Sequence, residues 1–298
     1  MATKNKRLEV LKTYKLYIGG QFPRTESGRY YTPVDTKGEK IANVCLSSRK
    51  DLRDAVSAAR TAFGGWSSRA AFNRGQILYR MAEMLEGRKK QFAEELMLQG
   101  SSKAAATKEI SLSIDRLIHY AGWCDKYHAL YSTVNPVASS HFNFSVPEPM
   151  GVVACIAPQE SPLLGLISLI APCIAGGNTC VLIASYPKPL VAISFAEVLN
   201  SSDLPGGVVN ILTGNPVELQ GWMNIHLDIN AIVTCNSTKE DWTKIQQEGS
   251  RNVKRTFNWS DKVIQSAAGQ SPYMIMDLQE IKTTWHPIQN IAGSGAAY

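Results

Sequence analysis

The sequence lacks any apolar run long enough to cross a membrane as a helix. Its longest apolar stretch, Leu163–Ala175, is interrupted by Ser168 and Pro172 and falls short of the ~20 residues that a membrane span requires. The segment Met1–Tyr14 is polar and basic, so it does not resemble a signal peptide. These absences favour a cytoplasmic protein without a membrane anchor.

Cysteine and histidine patterns typical of metal sites are also missing. The six cysteines are scattered with no Cys-x-x-Cys pair, and the five histidines are too dispersed to predict a metal cluster. Cys155, Cys173 and Cys180 lie in apolar stretches, which is typical of reduced, buried thiols. The sequence therefore predicts neither a disulfide framework nor a metal site.

The composition indicates neither disorder nor a strongly charged surface. The chain has 298 residues, of which 44% are hydrophobic and 19% charged, and its formal net charge is +6. A chain of this kind can bury a substantial core without disulfides or metals. Its basic residues form no dense stripe with interleaved aromatic residues, so we expect no nucleic-acid binding.

The first part of the chain predicts short extended segments followed by a layer of helices. Ser48 and Asp51 form a capping-box pattern, and the helix that they begin should end at Gly64-Gly65. Apolar residues at helical spacing predict two further helices, over Arg74–Leu98 and Ala104–Tyr127.

From Phe142 onward, predicted strands and helices alternate. After a strand at Phe142–Val146, buried strands are predicted at Val152–Ile156, Cys180–Ala184, Val208–Leu212, Ala231–Cys235 and Tyr273–Met276. Helices are predicted between them at Pro162–Ala175, Pro187–Leu199, Pro216–Met223 and Thr238–Gln247. This order is typical of an α/β fold with a doubly wound, Rossmann-like parallel sheet, in which ligands lie at the carboxyl ends of the strands. No phosphate loop or nucleophile elbow is present, so these patterns alone identify no catalytic site.

A set of motifs nevertheless resembles the aldehyde dehydrogenase superfamily in order and spacing. The motifs are Tyr120–His128, Glu148–Val153, Ala175–Thr179, Leu204–Asn210 and Gly269–Pro272. The resemblance covers residues 16–277 and implies the cofactor-binding half of that family. It divides the chain into a basic tail (1–15), a helical layer (48–128), an oligomerisation-type strand (141–146), the Rossmann-like sheet (151–277) and a C-terminal tail (278–298). The family's catalytic domain is expected to be absent.

The positions that carry the family's chemistry are changed in this sequence. The resemblance implies aldehyde oxidation by NAD(P), in which a cysteine thiolate attacks the aldehyde and a glutamate activates water. No Gly-Gln-x-Cys motif is present. Glu160 falls where the family has an asparagine that donates to the oxyanion, and a carboxylate offers no donor. Ser266 falls on the position of the glutamate base, so no catalytic residue is predicted.

The family's cofactor pocket corresponds here to a degenerate pocket of Pro158, Ile183, Tyr186 and Cys235. Ile183 and Tyr186 replace a lysine and a glutamate that hold the adenosine ribose in the family. Cys235 replaces a glycine that lets a helix N-terminus approach the pyrophosphate. We therefore expect weak binding of NAD(P), or none.

The resemblance also implies a protein partner. In the family, the strand that corresponds to His141–Val146 belongs to a small oligomerisation sheet, which a strand from the C-terminus completes. No returning strand is predicted here, which would leave a strand edge unpaired with Phe142 and Phe144 on one face. The chain resembles the silent second module of two-module family members. Its expected partner is an active aldehyde dehydrogenase, or a second copy of itself in a homodimer.

Two other interpretations of the sequence stay open. The chain could act alone as a weak nucleotide-binding module, or as a residual NAD(P)-dependent oxidoreductase that uses the half pocket for aldehydes.

Overall fold

The computed structural model describes residues 10–288, in which strands and helices alternate after an N-terminal helical layer. The strands are β1 (Thr13–Tyr14), β2 (Tyr30–Tyr31), β3 (Asn43–Cys45), β4 (Thr133–Asn135), β5 (His141–Pro149), β6 (Val152–Ile156), β7 (Thr179–Ile183), β8 (Val209–Leu212), β9 (Ala231–Cys235), β10 (Arg255–Trp259) and β11 (Gln279–Pro287). The helices are α1 (Arg49–Ser67), α2 (Ala71–Gly87), α3 (Lys89–Leu98), α4 (Lys103–Trp123), α5 (Tyr127–Tyr131), α6 (Leu164–Ala175), α7 (Leu190–Asn200), α8 (Pro216–Ile225), α9 (Lys239–Gly249), α10 (Asp261–Ile264) and α11 (Tyr273–Met276).

A five-stranded parallel sheet in the order β10-β9-β6-β7-β8 forms the centre of the fold. Neighbouring residues of each strand point to opposite faces, so the sheet separates two apolar cores. Val153 and Cys155 of β6 pack in the core that contains α2, α4, α6 and α7. Val152 and Ala154 pack on the other side, with α1, α8 and α9. The predicted doubly wound, Rossmann-like α/β fold is confirmed.

The N-terminal part of the chain follows the prediction, with differences at the helix ends and in the predicted tail. The capping box of Ser48 and Asp51 is confirmed, but α1 continues past Gly64-Gly65 because Trp66 is buried and its indole donates to the Ile174 carbonyl at 3.0 Å. The single helix predicted over 74–98 is two helices, separated at Arg88 after the poor helix former Gly87. The predicted tail over 1–15 is wrong at Thr13–Tyr14, which pair with β3.

One predicted strand is a helix, and one strand of the sheet was not predicted. Tyr273–Met276 form α11, because Pro272 can precede a helical turn and the turn buries Met274 and Ile275. A four-residue apolar run is compatible with either a short strand or a single helical turn. The fifth strand is instead Arg255–Trp259, a partly exposed edge strand with little apolar character.

A second sheet, in the order β11-β5-β4, lies outside the central fold. Strand β11 runs antiparallel to β5 over its full length, from Gln279 opposite Pro149 to Pro287 opposite His141. The prediction that no strand returns is therefore wrong, and so is the assignment of residues 279–287 to a tail. These residues were missed because nearly all of them are exposed, so no apolar alternation marks the strand. The remainder of that predicted tail, from residue 289, lies outside the described residues.

Candidate functional site

The candidate site is the crevice where the carboxyl ends of β6, β7 and β9 meet, the usual ligand position in doubly wound sheets. The structure places Glu160 and Tyr186 on the exposed loops after β6 and β7, and half-buried Cys235 at the end of β9. Ile183 and Pro158 are also near strand ends, but their side chains are buried. Ile183 belongs to the core beneath the crevice, whereas Pro158 packs against Gly165 of α6, where a Cβ atom would lie 2.5 Å from its ring.

The Gln159 side chain bridges the loops after β6 and β7. Its amide oxygen accepts from the Tyr186 backbone at 2.9 Å, and its amide nitrogen donates to the Ala157 carbonyl at 2.8 Å. The Ser185 hydroxyl donates to the Gln159 carbonyl at 2.9 Å. Polar groups that could bind a ligand in the crevice are thus paired with one another.

Glu160 is neutralised by a lysine from the neighbouring loop. The Lys188 ammonium lies 3.1 Å from a carboxylate oxygen of Glu160 and 3.4 Å from its carbonyl oxygen. The Glu160 side chain is 77% exposed and that of Lys188 23% exposed, so this pair is a surface ion pair with a small contribution to stability. The pair joins the loop that follows β6 to the loop that follows β7.

A pair of stacked tyrosines lies beside the crevice. The Tyr31 and Tyr186 rings have centroids 4.7 Å apart, and the Tyr31 hydroxyl donates to the Tyr186 carbonyl at 3.1 Å. Tyr186 therefore takes part in packing with the N-terminal segment. Sequence reasoning gave no role to Tyr31, whose partner is 155 residues away in the chain.

Cys235 carries a protonated thiol. Burial, together with the negative charge of Asp261, raises the pKa of Cys235 to about 12, so the thiolate needed for nucleophilic attack is scarce at neutral pH. Asp261 is held by the Ser161 hydroxyl at 2.7 Å and by the Gln265 amide at 2.9 Å. The Asn236 side chain accepts from the Asp261 backbone at 3.2 Å, so this side of the crevice is also internally hydrogen-bonded.

Carboxylates lie at or near the N-termini of the helices that follow β6 and β9. Glu109 accepts from the backbone amides of Leu163 and Leu164 at 2.9 and 3.1 Å, at the start of α6. The first turn of α9 contains Glu240 and Asp241, and its cap is formed by Thr238. Helix N-termini normally favour phosphate, but these carboxylates compensate the helix dipoles and repel a further anion. The residues present do not fit a dinucleotide pyrophosphate.

The role of Glu109 at the start of α6 can be tested by substitution. Replacing Glu109 by Ala leaves two backbone amides without their acceptor and should lower the free energy of unfolding by about 1–3 kcal/mol. Glu109→Gln keeps an acceptor oxygen and should cost less. Both losses are measured by urea denaturation at pH 7, and equal losses for the two variants would contradict this role.

The difference in the free energy of unfolding between wild type and Glu109→Gln should also change with pH in a predictable direction. Burial raises the pKa of Glu109, so the folded chain binds that proton more tightly than the unfolded chain does. Wild type should therefore gain stability relative to Glu109→Gln as pH falls from 7 towards the ordinary glutamate pKa. If the difference in free energy of unfolding between the two proteins stays constant over this pH range, the pKa of Glu109 is not raised.

Ser266 lies on an exposed turn after α10. Its hydroxyl donates to the Val263 carbonyl at 2.9 Å and accepts from the Ala268 backbone at 3.2 Å. The buried Arg116 guanidinium donates to the carbonyls of Ile264 and Ser266 at 2.8 and 3.3 Å and so anchors the turn. Among the described residues, no hydrogen bond joins Ser266 to Glu160 or Cys235. The structure brings Glu160, Tyr186 and Cys235 to one edge and leaves Ser266 on its separate turn.

Over residues 10–288 the structure contains neither a metal-ligand cluster nor a membrane-spanning helix. No group of three His, Cys, Asp or Glu side chains in this range could hold a metal ion. No helix in the same range is long and apolar enough to cross a membrane.

Comparison with known proteins identifies one family to which the chain is similar. The model of the "Aldehyde dehydrogenase family" matches residues 23–288. Cytosolic 10-formyltetrahydrofolate dehydrogenase of Mus musculus is 32% identical over 276 residues, which cover 91% of this chain and 30% of the mouse protein. An NAD+ complex of aldehyde dehydrogenase from Bacillus cereus is 25% identical with a TM-score of 0.79, over 84% of this chain and 51% of that one.

A second solved structure is aldehyde dehydrogenase C of Pseudomonas syringae, whose mutant was crystallised with NAD+ and octanal. It is 30% identical with a TM-score of 0.75, over 83% of this chain and 50% of that one. The chain thus spans about half the length of the solved enzymes and less than a third of the mouse protein.

Proposed function

Because this chain belongs to the aldehyde dehydrogenase family, we propose that it is a catalytically silent subunit that assembles with an active NAD(P)-dependent aldehyde dehydrogenase. A second copy of the chain is the alternative partner. We place this assembly in the cytoplasm, in keeping with the six free cysteines of the chain.

The observation that carries the proposal is the self-pairing of the crevice. Gln159 connects the loops after β6 and β7, and Lys188 pairs with Glu160 between the same two loops. A ligand that entered would have to break these contacts and then face a carboxylate at the start of each flanking helix. Cofactor binding and oxyanion stabilisation both need hydrogen-bond donors in this crevice. The donors on these two loops already bind other groups of the protein.

The assembly half of the proposal depends on the outer sheet of β4, β5 and β11. Phe142 and Phe144 lie on one face of β5 with their ring centroids 5.5 Å apart, and Val134 lies opposite Phe144 on β4. They line a shallow cavity of about 310 Å³, and Val134 is 68% exposed. We name these three residues the apolar face. An exposed apolar face on a projecting sheet is typical of a protein–protein contact.

The apolar face can be tested by substitution during co-expression. A double variant, Phe142→Ser with Phe144→Ser, should reduce co-purification with a tagged, active aldehyde dehydrogenase from the same source organism by more than about tenfold. The matched control is Tyr79→Ser, which removes an exposed aromatic ring from α2, away from the sheet. Wild type and control should co-purify equally. If wild type is not retained by any tested enzyme, the active-partner proposal fails.

A further inference from the structure

A cavity separate from the crevice lies at the amino ends of β6 and β7. It has a volume of about 490 Å³ and is lined by α1, α2, α5 and the outer sheet, together with Gly176. Pro149 and Gly176, which both line it, come three positions before β6 and β7 begin. The crevice lies at the carboxyl ends of the same strands, so the two are at opposite ends of the central sheet.

A buried arginine without a carboxylate partner lines this cavity. Arg74 is only 5% exposed, and no carboxylate oxygen in the described part of the chain lies within 4.0 Å of its guanidinium. The guanidinium has five N–H donors. It donates from Nε to the Ala175 carbonyl at 3.1 Å and from Nη1 to the Arg69 carbonyl at 2.6 Å. Further donors of this planar group are therefore available to a ligand in the cavity.

The charge of Arg74 is compensated only in part. Ala175 is the last residue of α6, and the carboxyl end of a helix carries about half a negative charge. Lys282 and Glu148 also line the cavity, but they form an ion pair with each other and add no net charge. The cavity therefore keeps a net positive charge. An anion bound there would reduce the cost of burying the arginine.

His128 places a further donor at the cavity. Its Nε2 atom lies 2.7 Å from the Tyr127 hydroxyl, and within residues 10–288 its Nδ1 atom has no hydrogen-bond partner. Burial and the charge of Arg74 lower the pKa of His128, whereas the charge of Glu148 raises it. The imidazole thus responds to charge in this cavity, and an anion there would favour its protonated form.

The arrangement of the donors favours a phosphate group over a carboxylate. Arg74, His128 and Lys282 belong to three different elements, α2, α5 and β11, so they reach the cavity from different sides. A carboxylate has two oxygens in one plane, which an arginine alone can bind. The tetrahedral oxygens of a phosphate group can accept from the arginine and from the two other donors at once. The volume is also typical of a small-molecule site and leaves space for an organic substituent.

We propose that this cavity binds a phosphate group, either as free phosphate or as part of a small phosphate monoester. The guanidinium of Arg74 is the main contact, and His128 and the ammonium of Lys282 bind the remaining oxygens. The site goes beyond the silent-subunit function and does not depend on it, because no residue of the crevice or of the apolar face takes part.

Nuclear magnetic resonance of the histidine side chains tests the site in the wild-type chain. Replacing chloride by inorganic phosphate at constant ionic strength should raise the pKa of His128 by about 1, as expected for a nearby opposite charge. His226 is the internal control, because burial also lowers its pKa but it does not line the cavity. The pKa of His226 should not change. The variant His128→Gln assigns the signal.

Isothermal titration calorimetry identifies the class of anion. Inorganic phosphate, glycerol 3-phosphate and acetate are titrated at the same ionic strength. The tighter of the first two distinguishes free phosphate from a monoester, and acetate should bind about tenfold more weakly or worse. Arg74→Lys keeps the charge but loses the planar fork, so it should weaken phosphate binding by about tenfold or more. The matched control is Arg80→Lys, which alters an exposed arginine of the same helix and should bind like wild type.

Each outcome decides for or against the site. A pKa of His128 that phosphate leaves unchanged, or an equal change at His226, would overturn it. Acetate that binds as tightly as phosphate would overturn the phosphate assignment, and so would a folded Arg74→Lys variant with wild-type affinity. Circular dichroism shows whether the variants are folded, and the wild-type titration decides if Arg74→Lys is not. Co-purification with an active enzyme is unaffected by these results, so the silent-subunit function stands or fails separately.

Discussion

The purified chain should oxidise no aldehyde above the no-enzyme rate with either NAD+ or NADP+. Loss of a catalytic nucleophile or base commonly lowers turnover by a factor on the order of 10⁴ to 10⁶. Here Cys235 is the cysteine at the crevice edge, and burial together with Asp261 raises its pKa to about 12. The carboxylate of Glu160 offers no donor to an oxyanion, and Ser266 cannot act as a carboxylate base.

The measurement is reduction of NAD+ or NADP+, followed by absorbance over a panel of short and long aldehydes. An active aldehyde dehydrogenase serves as the positive control, and Cys235→Ser is the matched variant. Wild type and Cys235→Ser should be indistinguishable from the blank. Turnover by wild type that is lost in Cys235→Ser would restore the residual-oxidoreductase interpretation.

The second large effect is on cofactor affinity, and we expect dissociation constants of about 1 mM or weaker for NAD+ and NADP+. Hydrogen bonds to charged groups contribute about 1.5–3 kcal/mol each. Losing two at the ribose positions, now Ile183 and Tyr186, lowers affinity by roughly a hundredfold or more. The structure adds a second reason, because Glu240 and Asp241 lie in the first turn of α9 and their carboxylates repel an anion near that helix N-terminus.

Isothermal titration calorimetry of dialysed protein measures this affinity directly. Glu240→Gln removes one carboxylate and should tighten binding by no more than about fivefold, since a charge at a helix terminus contributes about 0.3–1 kcal/mol. A low-micromolar dissociation constant for wild type would contradict the self-paired crevice and favour the nucleotide-binding interpretation.

The sequence predicted the central fold well because that part of the chain is determined by local patterns. Strands β6, β7 and β9 are short apolar runs with every residue buried or nearly so, and they are separated by helices with apolar faces. The capping box at Ser48 was predictable because it depends on two residues three positions apart. The edge strands β10 and β11 were not predicted, since β10 is partly exposed, β11 is largely exposed, and both carry little apolar alternation.

The candidate site was predictable in position but not in its internal contacts. Motif comparison placed Glu160, Tyr186 and Cys235, and the structure brings them to one edge of the sheet. The partners that close the crevice were missed, because Tyr31 and Glu109 come from segments 155 and 54 residues distant. Gln159 and Lys188 lie within two residues of Glu160 and Tyr186 in the sequence, but their contacts still depend on how the two loops meet. Contacts between distant segments depend on the assembled fold, which no local pattern reports.

The central claim, that the chain acts by assembling rather than by catalysing, is tested most directly by native mass spectrometry. The chain is measured alone and after co-expression with each active aldehyde dehydrogenase of the same source organism. We predict a complex whose intact mass is a whole-number combination of this chain and one enzyme, or of two copies of the chain when it is alone. A monomer that binds none of the enzymes would contradict the account.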